Sequence, residues 1–220
     1  MFNNPIFQST IFFSFFIWQF PSNIAPCKGG NMQLKQDLHI HTIFSTGDGA
    51  VVPQQTVELI AAINHAEIIG ISDHFDYLTG DIFYTYEKSV RSFGFQLGTE
   101  VDGYNWVDDA IQYSFDYYIY HCHNTEADYK GAEKLLSTGK PVIIAHPQAL
   151  DTDLSRVSPK CLIEINNRYV TRHNWRKYYT PFLDQFKFIL SSDSHQPHWL
   201  NHVVAEYAAR ELGVENTIIF

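Results

Sequence analysis

His39 and His41 stand two residues apart in Gln36-Asp37-Leu38-His39-Ile40-His41-Thr42, a short run with β-strand character. Side chains at i and i+2 of a strand project to one face, so the two imidazoles point together. Neutral imidazole is the commonest protein ligand for a transition metal, and a pair on one face can begin a metal site. Alone, the pair carries little weight. The weight comes from later apolar runs that end in the same kind of residue: His74, Glu100, His123, His146, Asp193 and His195. Six imidazoles and two carboxylates exceed the needs of one ion. They predict two or three divalent ions, with a carboxylate such as Glu100 shared between two of them.

Such residues must be brought together by the elements that carry them. Strands are expected over 34–42, 67–72, 93–99, 116–122, 141–145, 161–165 and 186–190. Helical segments are expected after Pro53, where Val57, Ile60 and Ala61 recur at helical spacing, and over 85–92, 126–137, 173–185 and 201–212. Gly139 with Pro141, and Gly213, supply helix stops. A last strand is expected over 217–220. Short apolar strands alternating with helices imply parallel strands joined by helical crossovers, and seven such units closing on themselves make a TIM-like (β/α) barrel of the α/β class. Functional residues of such barrels collect at the C-terminal ends of the strands, which is where the candidates fall.

The chain has 220 residues, 45% of them hydrophobic and 18% charged, a globular composition. Its net charge of −9 makes nucleic acid a disfavoured partner, while a local basic pocket remains compatible with a phosphate. Three cysteines, Cys27, Cys122 and Cys161, give no disulfide framework and fit a reducing, cytoplasmic setting. Cys122, between two histidines, is expected to face away from both as a small buried residue. Residues 11–20 form a Phe-rich run too short for a confident membrane span, and no membrane partner is expected. The first basic residue is Lys28, unlike a secretory signal. Residues 1–31 are therefore read as an upstream extension before a barrel over 32–220, with Met32 as a natural start; an atypical export or anchor segment is the rival.

The motifs in order are Asp37-Leu38-His39-Ile40-His41-Thr42, Ser72-Asp73-His74, Gly98-Thr99-Glu100, Asp116 with His123 seven residues on, Ala145-His146-Pro147, Glu164-Ile165-Asn166 and Ser192-Asp193-Ser194-His195. This set resembles the PHP (polymerase and histidinol phosphatase) superfamily over 36–212. The resemblance implies a distorted seven-stranded barrel with a multinuclear centre that hydrolyses phosphoesters. It places His39, His41, Glu100 and Asp193 around one ion, Glu100, His123 and His146 around a second, and His74 and His195 at a third. Many members carry a further histidine or aspartate after the first motif. Here only Asp48 of Thr46-Gly47-Asp48 stands near that place. His121 competes with His123. The spacing to Asp116 and the later position at the strand mouth favour His123, leaving His121 as a supporting residue.

Asp37 is expected to support the histidine pair, and Glu164 to point into the barrel, where a buried carboxylate needs a partner. Arg168, Arg172, His173, Arg176 and Lys177 form a basic cluster after the sixth strand. A solvated helix face explains it as well as a phosphate site does; Arg168, nearest the strand end, is the choice for a phosphate clamp. Tyr104, Trp106, Tyr117 and Tyr118 could line a pocket, though aromatic core is the commoner reason for such residues. The expected chemistry is in-line attack of metal-held hydroxide on a small phosphorylated substrate, with Zn, Mn or Fe as the ions and His195 near the leaving oxygen. The rivals are a nuclease or phosphodiesterase acting on nucleic-acid ends, a metal-dependent amidohydrolase, against which Glu100 and the Asp-x-His ending argue, and a metal-binding regulatory module without turnover.

Overall fold

Seven parallel strands run in sequence order around one sheet: β1 (Leu34–Asp37), β2 (Ala66–Ile71), β3 (Gln96–Asp102), β4 (Tyr117–His121), β5 (Val142–Ile144), β6 (Leu162–Asn166) and β7 (Lys187–Ser191). The computed structural model describes residues 33–220, so the reading of residues 1–31 as an extension, and Cys27 with it, lies outside the described residues. Among the described residues six α-helices lie between and after the strands: α1 (Val57–Ile63), α2 (Asp81–Ser92), α3 (Val107–Ala110), α4 (Glu126–Leu136), α5 (Trp175–Tyr179) and α6 (Val203–Leu212). This is the seven-stranded (β/α) barrel that the alternation of apolar runs implies.

The strands are apolar in continuous runs because both faces are covered. On β4, Tyr117 and Ile119 turn inward with Leu38, Ile143, Ala145, Leu162 and Ile189 to fill the barrel. Tyr118 and Tyr120 turn outward into the layer between sheet and helices, with Ile144, Ile163 and Phe188. Tyr117 crosses the interior and donates its hydroxyl to the Leu38 carbonyl at 2.6 Å. Glycine is required where the ring passes, since a Cβ on Gly98 would lie 2.2 Å from the ring and one on Gly70 2.4 Å from its hydroxyl.

The barrel closes unevenly. β1 and β7 meet through a parallel bridge between Ile40 and Ser194, with the His41 amide donating to the Ser194 carbonyl at 2.9 Å. Lower on the same seam, Asp37 is buried, accepts from the Ser192 amide at 3.1 Å, and has His65 Nε2 at 3.0 Å. The segment after α6 lies along the seam without adding a strand, contrary to the expectation for 217–220. Its Thr217 amide donates to the Phe188 carbonyl, and its Ile219 amide to Gln36 Oε1 at 3.1 Å.

Other boundaries shift for local reasons. Thr56 caps α1 by accepting from the Leu59 amide, so Pro53 falls in the preceding turn and not in the helix. α2 begins at Asp81 and is closed by Phe93, which delays β3 to Gln96. The 173–185 segment breaks into α5 and a 3₁₀ turn over Thr180–Phe182, where Pro181 has no amide to continue the helix. Thr125 and Asp128 form a reciprocal capping box at the start of α4.

Candidate metal centre

Alternation along the strands brings Glu100 and Asp102 of β3, His121 of β4, Glu164 and Asn166 of β6 and Asp193 beyond β7 to the inner face at one end of the barrel. The HxH segment continues β1 into the same space, with His39 and His41 fully buried. Glu100 stands at the centre. His121 Nε2 lies 2.5 Å from Glu100 Oε1, His39 Nε2 3.0 Å and His146 Nε2 3.8 Å. His74 Nδ1 lies 3.0 Å from Glu100 Oε2, and His41 Nε2 3.3 Å.

Four overlapping ligand groups result, the fourth being Asp102, His121 and His123 at the exposed rim. His39, His41 and Glu100 form the first, with Asp193 Oδ1 3.8 Å from His39 Nε2 and 3.7 Å from His41 Nε2. Glu100, His121 and His146 form the second. His41, Asp48, His74 and His195 form the third, in which Asp48 Oδ2 lies 2.7 Å from His195 Nε2 and 3.4 Å from His74 Nε2. Asp48, the one residue near the place of that further ligand in the sequence, is thus placed among the third group's histidines.

His123 is not brought to Glu100. It is 45% exposed, and its Nε2 sits 2.6 Å from Asp102 Oδ1. His121 occupies the place expected for His123 because the β3–β4 ladder ends with Asp102 opposite His121, and the chain turns away at Asn124, whose φ is 62°. The spacing to Asp116 was misleading: that carboxylate accepts from the Leu97 amide at 2.8 Å and from Arg91, at the opposite end of the strand. Asp102 was missed altogether. The i, i+2 rule that pairs His39 with His41 would have paired it with Glu100.

The donor set suits divalent ions. Glu100 Oε1 is buried without an aligned hydrogen-bond donor, although imidazole nitrogens surround it, and His146 Nδ1 is also buried unpaired. Two pairs of Nε2 atoms face each other at 3.1 Å, His39 with His41 and His121 with His146. Facing nitrogens of that kind need a cation or shared protons between them. Nitrogen and carboxylate donors without thiolate accommodate Zn, Mn or Fe. Cys122 and Cys161 are free and buried, with Cys122 packed in the outer layer as expected.

Charge accumulates here. Burial alone would depress the His39 imidazole, but the carboxylates of Glu164, Glu100 and Asp193 hold it well above the ordinary range. His121, despite burial, is pushed up to about 10 by Glu100 and Asp102. Burial would raise Glu100, yet His121, His39, His74 and His41 keep it well below the usual carboxylate range. Backbone strain accompanies the charge: His146 and Asp193 have φ of 24° and 50°, costly for side chains with a Cβ. The strained turn at His146 lets its amide donate to Glu164 Oε2 at 2.5 Å.

A ring of hydrogen bonds fixes the ligands. Glu164 Oε1 lies 2.7 Å from His39 Nδ1, and Asn166 Nδ2 donates to Glu164 Oε2 and to Asp193 Oδ2, both at 3.0 Å. Asp73 accepts from the Thr42 amide and hydroxyl, both at 2.6 Å, and from the Ser45 hydroxyl at 2.7 Å. Asp73 therefore anchors the loop after His41 and does not touch the centre. Arg168 Nη1 lies 2.9 Å from Asp193 Oδ1 and 3.0 Å from His195 Nδ1. Both nitrogens of His195 are thus engaged. In the basic cluster, Arg172 stacks over Tyr169 and Arg176 pairs with Glu211, while Arg168 lines the cavity above the cluster, about 370 Å³ in volume. Tyr117 and Tyr118 are core, and Trp106 packs against Phe75, so none of the three lines this cavity.

Among the described residues no helix is long and apolar enough to cross a membrane. No protein-family model matches the chain, and no curated protein matches it. Among solved structures the chain is similar to a truncated form of 3-deoxy-D-arabino-heptulosonate 7-phosphate synthase from Thermotoga maritima, with 14% identity, a TM-score of 0.46, and coverage of 81% of this chain and 72% of that chain.

Proposed function

We propose that this chain is a metal-dependent phosphoesterase of the PHP type, acting on a small phosphomonoester with two or three divalent ions. The observation that carries the reading is Glu100, whose two oxygens each face imidazoles of different ligand groups, as a carboxylate shared between ions would. Ions held there would polarise phosphate oxygens and lower the pKa of water to about 7.

The protein's own groups do the rest. His39, His41, His121 and His146 offer nitrogens from the barrel side, while Asp48, His74 and His195 close the group from the rim. Arg168 touches Asp193 and His195 through Nη1 alone, which leaves its remaining donors for a phosphate dianion at the mouth. His195 faces Asp48 through Nε2 and Arg168 through Nδ1, among the third group's candidate ligands. Attack of water needs no nucleophilic Ser or Cys from the chain. Buried, unpaired Cys122 and Cys161 support a reducing, cytoplasmic setting.

The test uses the full chain, stripped of metal and reloaded with Zn, Mn or Fe, and measures phosphate release from an aryl phosphomonoester. Turnover restored by one of the metals is expected. Stoichiometric binding without turnover on monoesters or diesters would move the reading to a non-catalytic module. Turnover on diesters alone would make the protein a phosphodiesterase.

A further inference from the structure

A second carboxylate, Asp102, lies on the far side of His121 from Glu100. The two acids are two residues apart on β3, and Asp102 is the register partner of His121 on β4. The imidazole is held between them, with Nε2 2.5 Å from Glu100 Oε1 and Nδ1 3.0 Å from Asp102 Oδ1. Resting on the metal-centre reading above, we propose that Asp102 is a positioning residue that fixes the tautomer and ring plane of His121 for an ion shared with Glu100 and His146.

A carboxylate only accepts hydrogen bonds, so the contact to Asp102 holds a proton on Nδ1 and aims Nε2 at Glu100 and His146, where an ion would take the place of the Nε2 proton. The same device serves His39, whose Nδ1 lies 2.7 Å from Glu164 Oε1. His146 lacks it, since its Nδ1 is unpaired. The second group therefore has one histidine whose ring is held by a carboxylate and one, His146, placed by its strained backbone and by its ring against Tyr169. Removing Asp102 leaves the group without a carboxylate-held imidazole. His123 completes the arrangement: its Nε2 donates to the same Asp102 oxygen at 2.6 Å and pins the carboxylate from the solvent side. This assigns His123 a use in the site although it reaches none of the three groups around Glu100 and His41 and falls only in the exposed group with Asp102 and His121.

Supporting carboxylates of this kind change metal affinity by roughly 10- to 100-fold. Asp102 is 54% exposed and outside the core, so its replacement leaves the barrel intact. Zn²⁺ alone is titrated into the stripped full chain against a chromophoric chelator, with the melting temperature of each stripped protein measured alongside. Asp102→Ala is expected to weaken one ion, and only one, by about 10- to 100-fold, with the stripped melting temperature unchanged. Asp102→Asn, whose carbonyl still accepts from Nδ1, is expected to recover most of that loss. Wild-type stoichiometry and affinity in Asp102→Ala overturns the proposal. So does an Asn variant as weak as the Ala variant, because the effect is then charge and not orientation. If the wild-type chain itself takes up no Zn²⁺, Mn²⁺ or Fe²⁺, the phosphoesterase reading falls and this one with it. If the wild type and Asp102→Ala bind alike, only the positioning role falls.

Discussion

Arg168 reaches the ligand groups with one edge of its guanidinium and stacks its face near Trp199, 4.9 Å from the ring centroid. The side chain is therefore held in place before any substrate arrives. Arg168→Ala is expected to raise KM at least tenfold, about 1.4 kcal/mol of binding, with a smaller effect on kcat. Arg168→Lys should restore little, because a single ammonium cannot both hold Asp193 and grip a phosphate. Steady-state kinetics on the reloaded enzyme measure both; an unchanged KM in Arg168→Ala removes the clamp. At this scale the sequence was most legible where one residue sits at each strand end, as with His74, Glu100 and His146. It was least legible at His121 and His123. Both share a face, and only the point where the ladder stops decides which one meets Glu100.

Individual strands explain why the ligands hold still. Tyr117 fills the barrel below them, and its hydroxyl ties β4 to the start of the HxH segment at Leu38. A methyl group at Gly98 would strike the Tyr117 ring. Gly98→Ala is expected to destabilise the fold by about 1–3 kcal/mol through overpacking. Tyr117→Phe, which leaves the Leu38 carbonyl without that donor, should cost about 1–3 kcal/mol. Chemical denaturation measures both, and a neutral Gly98→Ala would mean that the ring moves aside freely. The strands could be read from the sequence because parallel strands covered on both faces are simple apolar runs. The helices were blurrier at their ends, since caps such as Thr56 and breaks such as Pro181 depend on where the preceding strand releases the chain.

For the molecule as a whole, the charge at the mouth makes metal loading a competition with protons. The acids around His39 hold it well above the ordinary imidazole range, and His121 is raised to about 10. An ion entering the stripped centre therefore has to displace protons from these imidazoles. Apparent affinity is expected to rise steadily between about pH 6 and pH 9, with net proton release on binding. Calorimetry in buffers of different ionisation enthalpy gives the number of protons released. Binding that is insensitive to pH would show that the imidazoles are already neutral. The overall architecture followed from counting apolar runs, but the closure of the barrel did not, because it rests on backbone contacts that leave no pattern in the side chains.

The seam between the first and last strands also sets a timetable. Asp37 and the Ser192 amide that it accepts from are 155 residues apart in the chain, and the Ile40–Ser194 bridge spans a similar distance. Proteins are synthesised from the amino end, so His39 and His41 leave the ribosome long before Asp193 and His195 exist. For most of translation the first candidate ligands therefore stand without Asp193 and His195. Contacts of such long range form late in folding. The full set of candidate ligands is thus completed only after the seventh strand, and a chain stalled before that point lacks Asp193 and His195.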